Sequence, residues 1–100
     1  MSSEITLGLK IHDADNVATL FSDVVENSTV EIMDKRGHKE LLQTHNMIPF
    51  GHKIAIVDIK KGEQITKYGE EIGMATMDIS KGEYVHIHNL DSIRCRGDWD

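Results

Sequence analysis

One eight-residue pattern occurs twice in this chain, and it says what the basic structural unit must be. Asp58-Ile59-Lys60-Lys61-Gly62-Glu63-Gln64-Ile65 returns twenty positions later as Asp78-Ile79-Ser80-Lys81-Gly82-Glu83-Tyr84-Val85. Aspartate, isoleucine, the Lys-Gly pair, glutamate and a closing β-branched residue recur in order, so one small strand-turn-strand element is used twice. The glycine offers the positive φ that a tight turn asks for. Asp23-Val24, with Val30 at the matching offset, reads as a degenerate third copy in which Asn27-Ser28 stands in for the Lys-Gly turn. For that reason Val17 to Ser22, which would otherwise pass for a short amphipathic helix, is expected to be a strand.

The rest of the chain supports an all-β domain of short strands and glycine turns. Ile5, Leu7, Leu9 and Ile11 alternate with smaller or polar residues and predict a half-buried strand, closed by a turn at His12-Asp13-Ala14-Asp15-Asn16. Asp34-Lys35-Arg36-Gly37 predicts a hairpin turn, with Glu40 to Thr44 returning. Ile54 to Val57 is a buried strand, Glu63 to Lys67 runs back, Met74 to Met77 repeats it, and Tyr84 to His88 is the last strand. Tyr68-Gly69 and Gly73 are backbone hinges. At 100 residues the chain is a single domain, 1–100, with a strand-rich core over 5–89 and a polar tail over 90–100. A core of that size leaves stability small without a partner.

Composition narrows the function classes. A formal net charge of −6 argues against a nucleic-acid backbone as the main partner. No apolar run approaches the ~20 residues of a membrane span, and the start of the chain has no signal-peptide pattern, so a cytoplasmic location is expected. A single cysteine, Cys95, leaves no internal disulfide and fits a reducing compartment. Trp99 is either an anchor for a partner surface or an ordinary terminal residue. The pattern allows a homo-oligomer without demanding one.

Candidate chemistry gathers in three places. His86 and His88, two apart on the expected last strand, leave the same face. They suit two ligands of one metal, or an acid and a base bracketing a substrate, or two solvated surface histidines. His52-Lys53 can supply a proton acceptor and a clamp for a carboxylate, with Gly51 letting the backbone come close to a ligand, or can be a plain strand-edge pair. Tyr68 at Gly69 either meets a substrate or caps a turn. Asp58, Asp78, Glu63 and Glu83 repeat with the turns and are read as turn chemistry. His12, His38 and His45 are expected to be solvated.

Taken in order, Ile11-His12-Asp13-Ala14-Asp15-Asn16-Val17-Ala18, Gly51-His52-Lys53, Tyr68-Gly69-Glu70-Glu71-Ile72-Gly73, His86-Ile87-His88-Asn89 and Arg94-Cys95-Arg96-Gly97-Asp98 resemble the altronate and galactarate dehydratase family. The similarity is to its N-terminal domain or separate small subunit, a kind that sulfolactate sulfo-lyase also has. The resemblance implies a β-clip domain of the SAF type and a lyase acting on a small hydroxy acid, with a large catalytic subunit as partner. It implies catalytic roles for His52, Lys53, His86 and His88 and substrate contacts from Gly51, Tyr68, Gly69 and Asn89. It also implies a divalent metal, iron or manganese, with His86 and His88 as candidate ligands and the large subunit completing the site. A non-catalytic β-clip module that binds a glycan or a protein is the reading from a different class.

Overall fold

The computed structural model of the chain describes residues 6–92, and over them it contains strands and turns and no helix. Nine strands form: β1 (Thr6–Leu9), β2 (Val17–Leu20), β3 (Thr29–Met33), β4 (Lys39–Gln43), β5 (Lys53–Ala55), β6 (Gln64–Lys67), β7 (Glu70–Ala75), β8 (Tyr84–Val85) and β9 (Leu90–Ser92). They build a six-stranded sheet ordered β4-β3-β1-β2-β5-β8 and a three-stranded sheet ordered β6-β7-β9. The class is all-β, as the repeat requires.

The repeat is deeper than the sequence suggests, because a fourth copy exists. Residues 47–54 carry Ile48, Gly51 and Ile54 at the offsets of Ile59, Gly62 and Ile65, with Met47 where the other copies have aspartate. The four corner residues Asn27, Gly51, Gly62 and Gly82 all take positive φ, at 62°, 82°, 90° and 97°. The corners pair crosswise, through bridges Val24–Ile48 and Ile59–Ile79. Each corner N–H donates to a carbonyl entering its partner corner: Asn27 to Thr44, Gly51 to Leu20, Gly62 to Ala75 and Gly82 to Ala55, all at 2.8–2.9 Å. Two clips of related geometry result, one from 23–30 with 47–54 and one from 58–65 with 78–85.

The repeated aspartates work across the clip and not within their own turn. Asp58 Oδ1 accepts from Lys81 N and Asp78 Oδ1 from Lys61 N, both at 2.9 Å, while Asp23 Oδ1 accepts from Phe50 N at 2.7 Å. Met47 cannot return the fourth bond, which is why that copy escapes a pattern search keyed on aspartate. Glu63 keeps the expected local role, its Oε1 accepting from Lys60 N.

Strands β2 and β5 run between the clips and are buried on both faces. Ala18, Leu20, Ile54 and Ile56 face one core with Val24, Val30, Ile32, Leu42 and Ile48. Val17 and Ala55 face the other with Ile59, Ile65, Ala75, Ile79, Val85 and Leu90. Alternation along each segment feeds a different core on each side, so Val17-Ala18 and Ile54-Ala55-Ile56 are apolar at consecutive positions.

Three expectations are corrected here. In β1 the inward residue is Gly8, not its leucine neighbours, and Leu7 is exposed. A Cβ on Gly8 would lie 2.7 Å from Ile32 Cδ1 and 2.9 Å from Leu20 Cδ2, so the strand can sit there only with the smallest residue inward. The last strand ends at Val85, and His86 to Asn89 form a turn closed by Asn89 N donating to His86 O at 3.0 Å. Leu90–Ser92, expected to belong to the polar tail, pairs with β7 as a strand.

The opening His12-Asp13-Ala14-Asp15-Asn16 ties the two sheets together. Asp15 is buried; its Oδ1 accepts from Gly69 N at 2.8 Å and its Oδ2 from His12 N at 3.1 Å. Asn16 bonds Thr66 N and Gln64 O through the two ends of its amide. Asp15→Ala leaves two backbone donors without their acceptor and is expected to cost roughly 1–3 kcal/mol. Urea unfolding of the variant beside the parent protein measures it.

Candidate functional site: an imidazole cluster beside a lysine-lined cavity

Antiparallel pairing of β5 with β8 brings the histidines together. Lys53 lies opposite Val85 and Ile54 opposite Tyr84, so one step beyond the ladder His52 faces His86. Their ring centroids are 4.8 Å apart and nearly perpendicular, at 74°. Tyr84, two residues before His86, emerges on the same face and stacks on it with centroids 5.5 Å apart and planes 7° from parallel. Tyr84 also meets His52 edge-on at 5.6 Å and His88 at 5.4 Å. Convergence of His52, His86 and His88 therefore runs through Tyr84 and the β5–β8 register. Strand alternation between His86 and His88, the reason given by the sequence, does not operate.

Asn89 shapes the turn that carries two of these rings. It is only 2% exposed, its Oδ1 accepts from His86 N at 3.0 Å, and its Nδ2 donates to Tyr84 O at 2.8 Å. Both ends of the amide are spent on its own chain, so it positions His86 and Tyr84. Gly51 likewise serves the corner: a Cβ there would meet nothing within 4 Å, and the constraint is its φ of 82°. Tyr68 and Gly69, with φ of 58° and 76°, form the tight β6–β7 hairpin turn. A Cβ on Gly69 would lie 2.8 Å from His12 Cδ2, which gives the exposed His12 a packing role. Gly73 lets β9 lie close, since its Cβ would fall 2.6 Å from Asp91 O.

The site's protonation states follow from its neighbours. His52 Nδ1 lies 3.2 Å from Phe50 O, and a carbonyl can only accept, so Nδ1 carries the proton and the neutral ring keeps its lone pair on Nε2. His86 is held below the ordinary imidazole range, first by burial and then by His52, Lys53 and His88. Burial, followed by Lys67, lowers the Lys53 ammonium as well. Removing a cation relieves that pressure. Lys53→Met is therefore expected to raise the His86 pKa, and His52→Ala to raise it further, as followed by NMR titration of the ring protons.

Beside the imidazoles lies a cavity of about 340 Å³ lined by Lys53, Lys67, Ile72, His86, Ile87, Leu90 and Ser92. Lys67 Nζ sits 4.8 Å over the Tyr68 ring. Tyr84 and Lys67 were not among the residues singled out by sequence. Tyr84 is flagged only by its place two residues before His86, and Lys67 by nothing local. Among the described residues no group of three histidine, cysteine, aspartate or glutamate side chains can hold a metal ion. His86 and His88 with a lysine nearby do not make a complete metal site. Arg94, Cys95, Arg96, Gly97, Asp98 and Trp99 lie outside the described residues.

Two clips joined through shared strands, with histidines and a lysine grouped beside the β5–β8 pair, give the all-β architecture of a SAF-type domain. The altronate/galactarate dehydratase SAF domain model matches residues 6–93, and the chain belongs to that family. It is 38% identical to altronate dehydratase of Escherichia coli over 98 residues, 91% of this chain and 19% of that enzyme. To galactarate dehydratase of the same organism it is 35% identical over 77 residues, 77% of this chain and 14% of the enzyme. The chain thus spans less than a fifth of each dehydratase. With the (2R)-sulfolactate sulfo-lyase subunit alpha of Chromohalobacter salexigens it shares 33% identity over 94 residues, 90% of this chain and 99% of that subunit. Its relatives are lyases, and among the described residues no helix is long and apolar enough to cross a membrane.

Proposed function

We propose that this chain is the small component of a two-part lyase that eliminates water from an aldonate or aldarate, such as altronate or galactarate, giving a 2-oxo-3-deoxy acid. The observation that carries the reading is the grouping of His52, His86 and His88 around Tyr84, next to Lys53, in a member of this family. A large catalytic chain completes the site. Exposed apolar residues rim the cluster, with Phe50 64% and Ile87 76% exposed, and a covering partner gives them a place to be buried.

The reaction needs a base at the carbon beside the carboxylate and an acid at the leaving group. His52 Nε2 holds the lone pair in the neutral ring, and His86, kept neutral by its surroundings, is the second proton carrier. Abstraction of the proton and departure of the adjacent hydroxyl as water leave an enol, which becomes the 2-oxo acid. Negative charge builds on the carboxylate during that step, and Lys53 is the cation this chain offers to it. A divalent metal bound by the large chain would supply further charge neutralisation there. Burial and the neighbouring cations hold His86 low and so favour its neutral form. The acid limb of the rate profile is therefore expected below the ordinary imidazole range if His86 takes the proton, with His52 as its partner; an acid limb in the ordinary range assigns that step to His52.

Sulfolactate sulfo-lyase is the second reading, favoured by a match running along 99% of a subunit of that enzyme. It differs in the leaving group, sulfite in place of water. The test is to combine this chain with a large dehydratase-like chain from the same genome and offer altronate, galactarate and sulfolactate. Formation of 2-oxo acid without sulfite supports the dehydratase, and sulfite release supports the sulfo-lyase. No turnover of any of them by the complex overturns both. The chain by itself is expected to turn over none, and steady turnover by the isolated protein would overturn the two-part reading.

A further inference from the structure

Lys53 and Lys67 reach the same cavity from different strands, one at the start of β5 and the other at the end of β6. The remaining lining is His86, Ser92 and an apolar wall of Ile72, Ile87 and Leu90, so the described lining includes no carboxylate. The volume, about 340 Å³, falls within the roughly 300–1,000 Å³ of small-molecule sites. Two ammonium groups sharing one cavity repel each other, and the Lys53 ammonium is lowered first by its burial and then by Lys67. Lys67 is also held in place. Its Nζ lies over the ring of Tyr68, whose turn is anchored by the buried Asp15 through Gly69 N.

We propose that this cavity selects an acid with two anionic groups, Lys53 holding the carboxylate beside the reacting carbon and Lys67 the second anion. The inference rests on the lyase reading above and narrows its substrate class. An aldonate would set a neutral hydroxymethyl group near Lys67 and leave the second ammonium uncompensated. An aldarate brings a second carboxylate and a sulfolactate a sulfonate; either anion satisfies Lys67. The apolar wall of Ile72, Ile87 and Leu90 fits the carbon skeleton between the charged ends.

Galactarate, sulfolactate and altronate are titrated separately into the full 100-residue chain, following the His86 ring protons and the lysine resonances by NMR. Both dianions are expected to bind roughly tenfold more tightly than altronate, a difference of about 1.4 kcal/mol. The tighter dianion identifies whether carboxylate or sulfonate is the preferred second group. Lys67→Met is expected to bring all three within about twofold, and Lys67→Arg to keep the preference. Altronate binding as tightly as the dianions, or a preference that survives Lys67→Met, overturns the selection while leaving the site a carboxylate site. If none of the acids moves the His86 and Lys53 signals, the carboxylate-site reading fails and the selection with it.

Discussion

Gly82→Ala is expected to destabilise the protein by about 3–4 kcal/mol, whereas Gly62→Ala at the related corner should cost only about 1 kcal/mol. Both glycines hold nearly the same left-handed conformation, with φ of 90° and 97°. Alanine therefore pays the same backbone penalty at either place, partly offset by the reduced freedom of its unfolded chain. Their surroundings differ. A Cβ on Gly62 would enter open space, while one on Gly82 would run into the carbonyl oxygen of Gln43 and lie 2.8 Å from His45 Cδ2. The segment after β4 lies against this corner, with His45 N donating to Gly82 O at 2.9 Å, so the backbone cannot step aside cheaply. Chemical denaturation of the two single variants makes the comparison. Equal losses would show that conformation alone, and not close approach, holds Gly82 in place.

His52→Ala and His86→Ala are each expected to lower turnover of the reconstituted complex by roughly 10²–10⁴-fold, the usual worth of a positioned acid or base. Thermal midpoints should move little, because these rings are only partly buried and lie outside both apolar cores. His88→Ala is expected to act in the same direction, since its ring meets the same tyrosine. His38→Ala is the control. That ring is exposed on the far hairpin and pairs only with Asp34 among the contacts described, so neither stability nor turnover should change. Turnover, thermal midpoint and binding to the large chain are measured for each variant. Full turnover with His52, His86 and His88 all replaced would leave the catalytic reading without support. A loss that tracks unfolding would make the histidines structural.

The clip itself was legible because it is a local device written in local residues. A Lys-Gly pair between two aliphatic positions, with an aspartate ahead of it, marks a corner, and two closely similar copies with a third degenerate one announced an all-β chain. The Met47 copy was hidden because the cross-clip aspartate, the most visible letter of the pattern, is the one it lacks. Gly8 misled for a related reason. Alternating leucines say which residues can face a core, but the space left by Ile32 and Leu20 decides which face turns inward.

By itself, then, the sequence determined the unit, the strand class, the family and the residue types at the site. Tertiary structure decided who meets whom. His52 and His86 are neighbours because β5 and β8 pair in one register, and that register depends on contacts across more than thirty residues of chain. The same pairing set Tyr84 against all three rings, while β6 brought Lys67 to the cavity that Lys53 also lines. No local spacing encodes these meetings. Each follows from the packing of elements whose individual residues say only that they are strands.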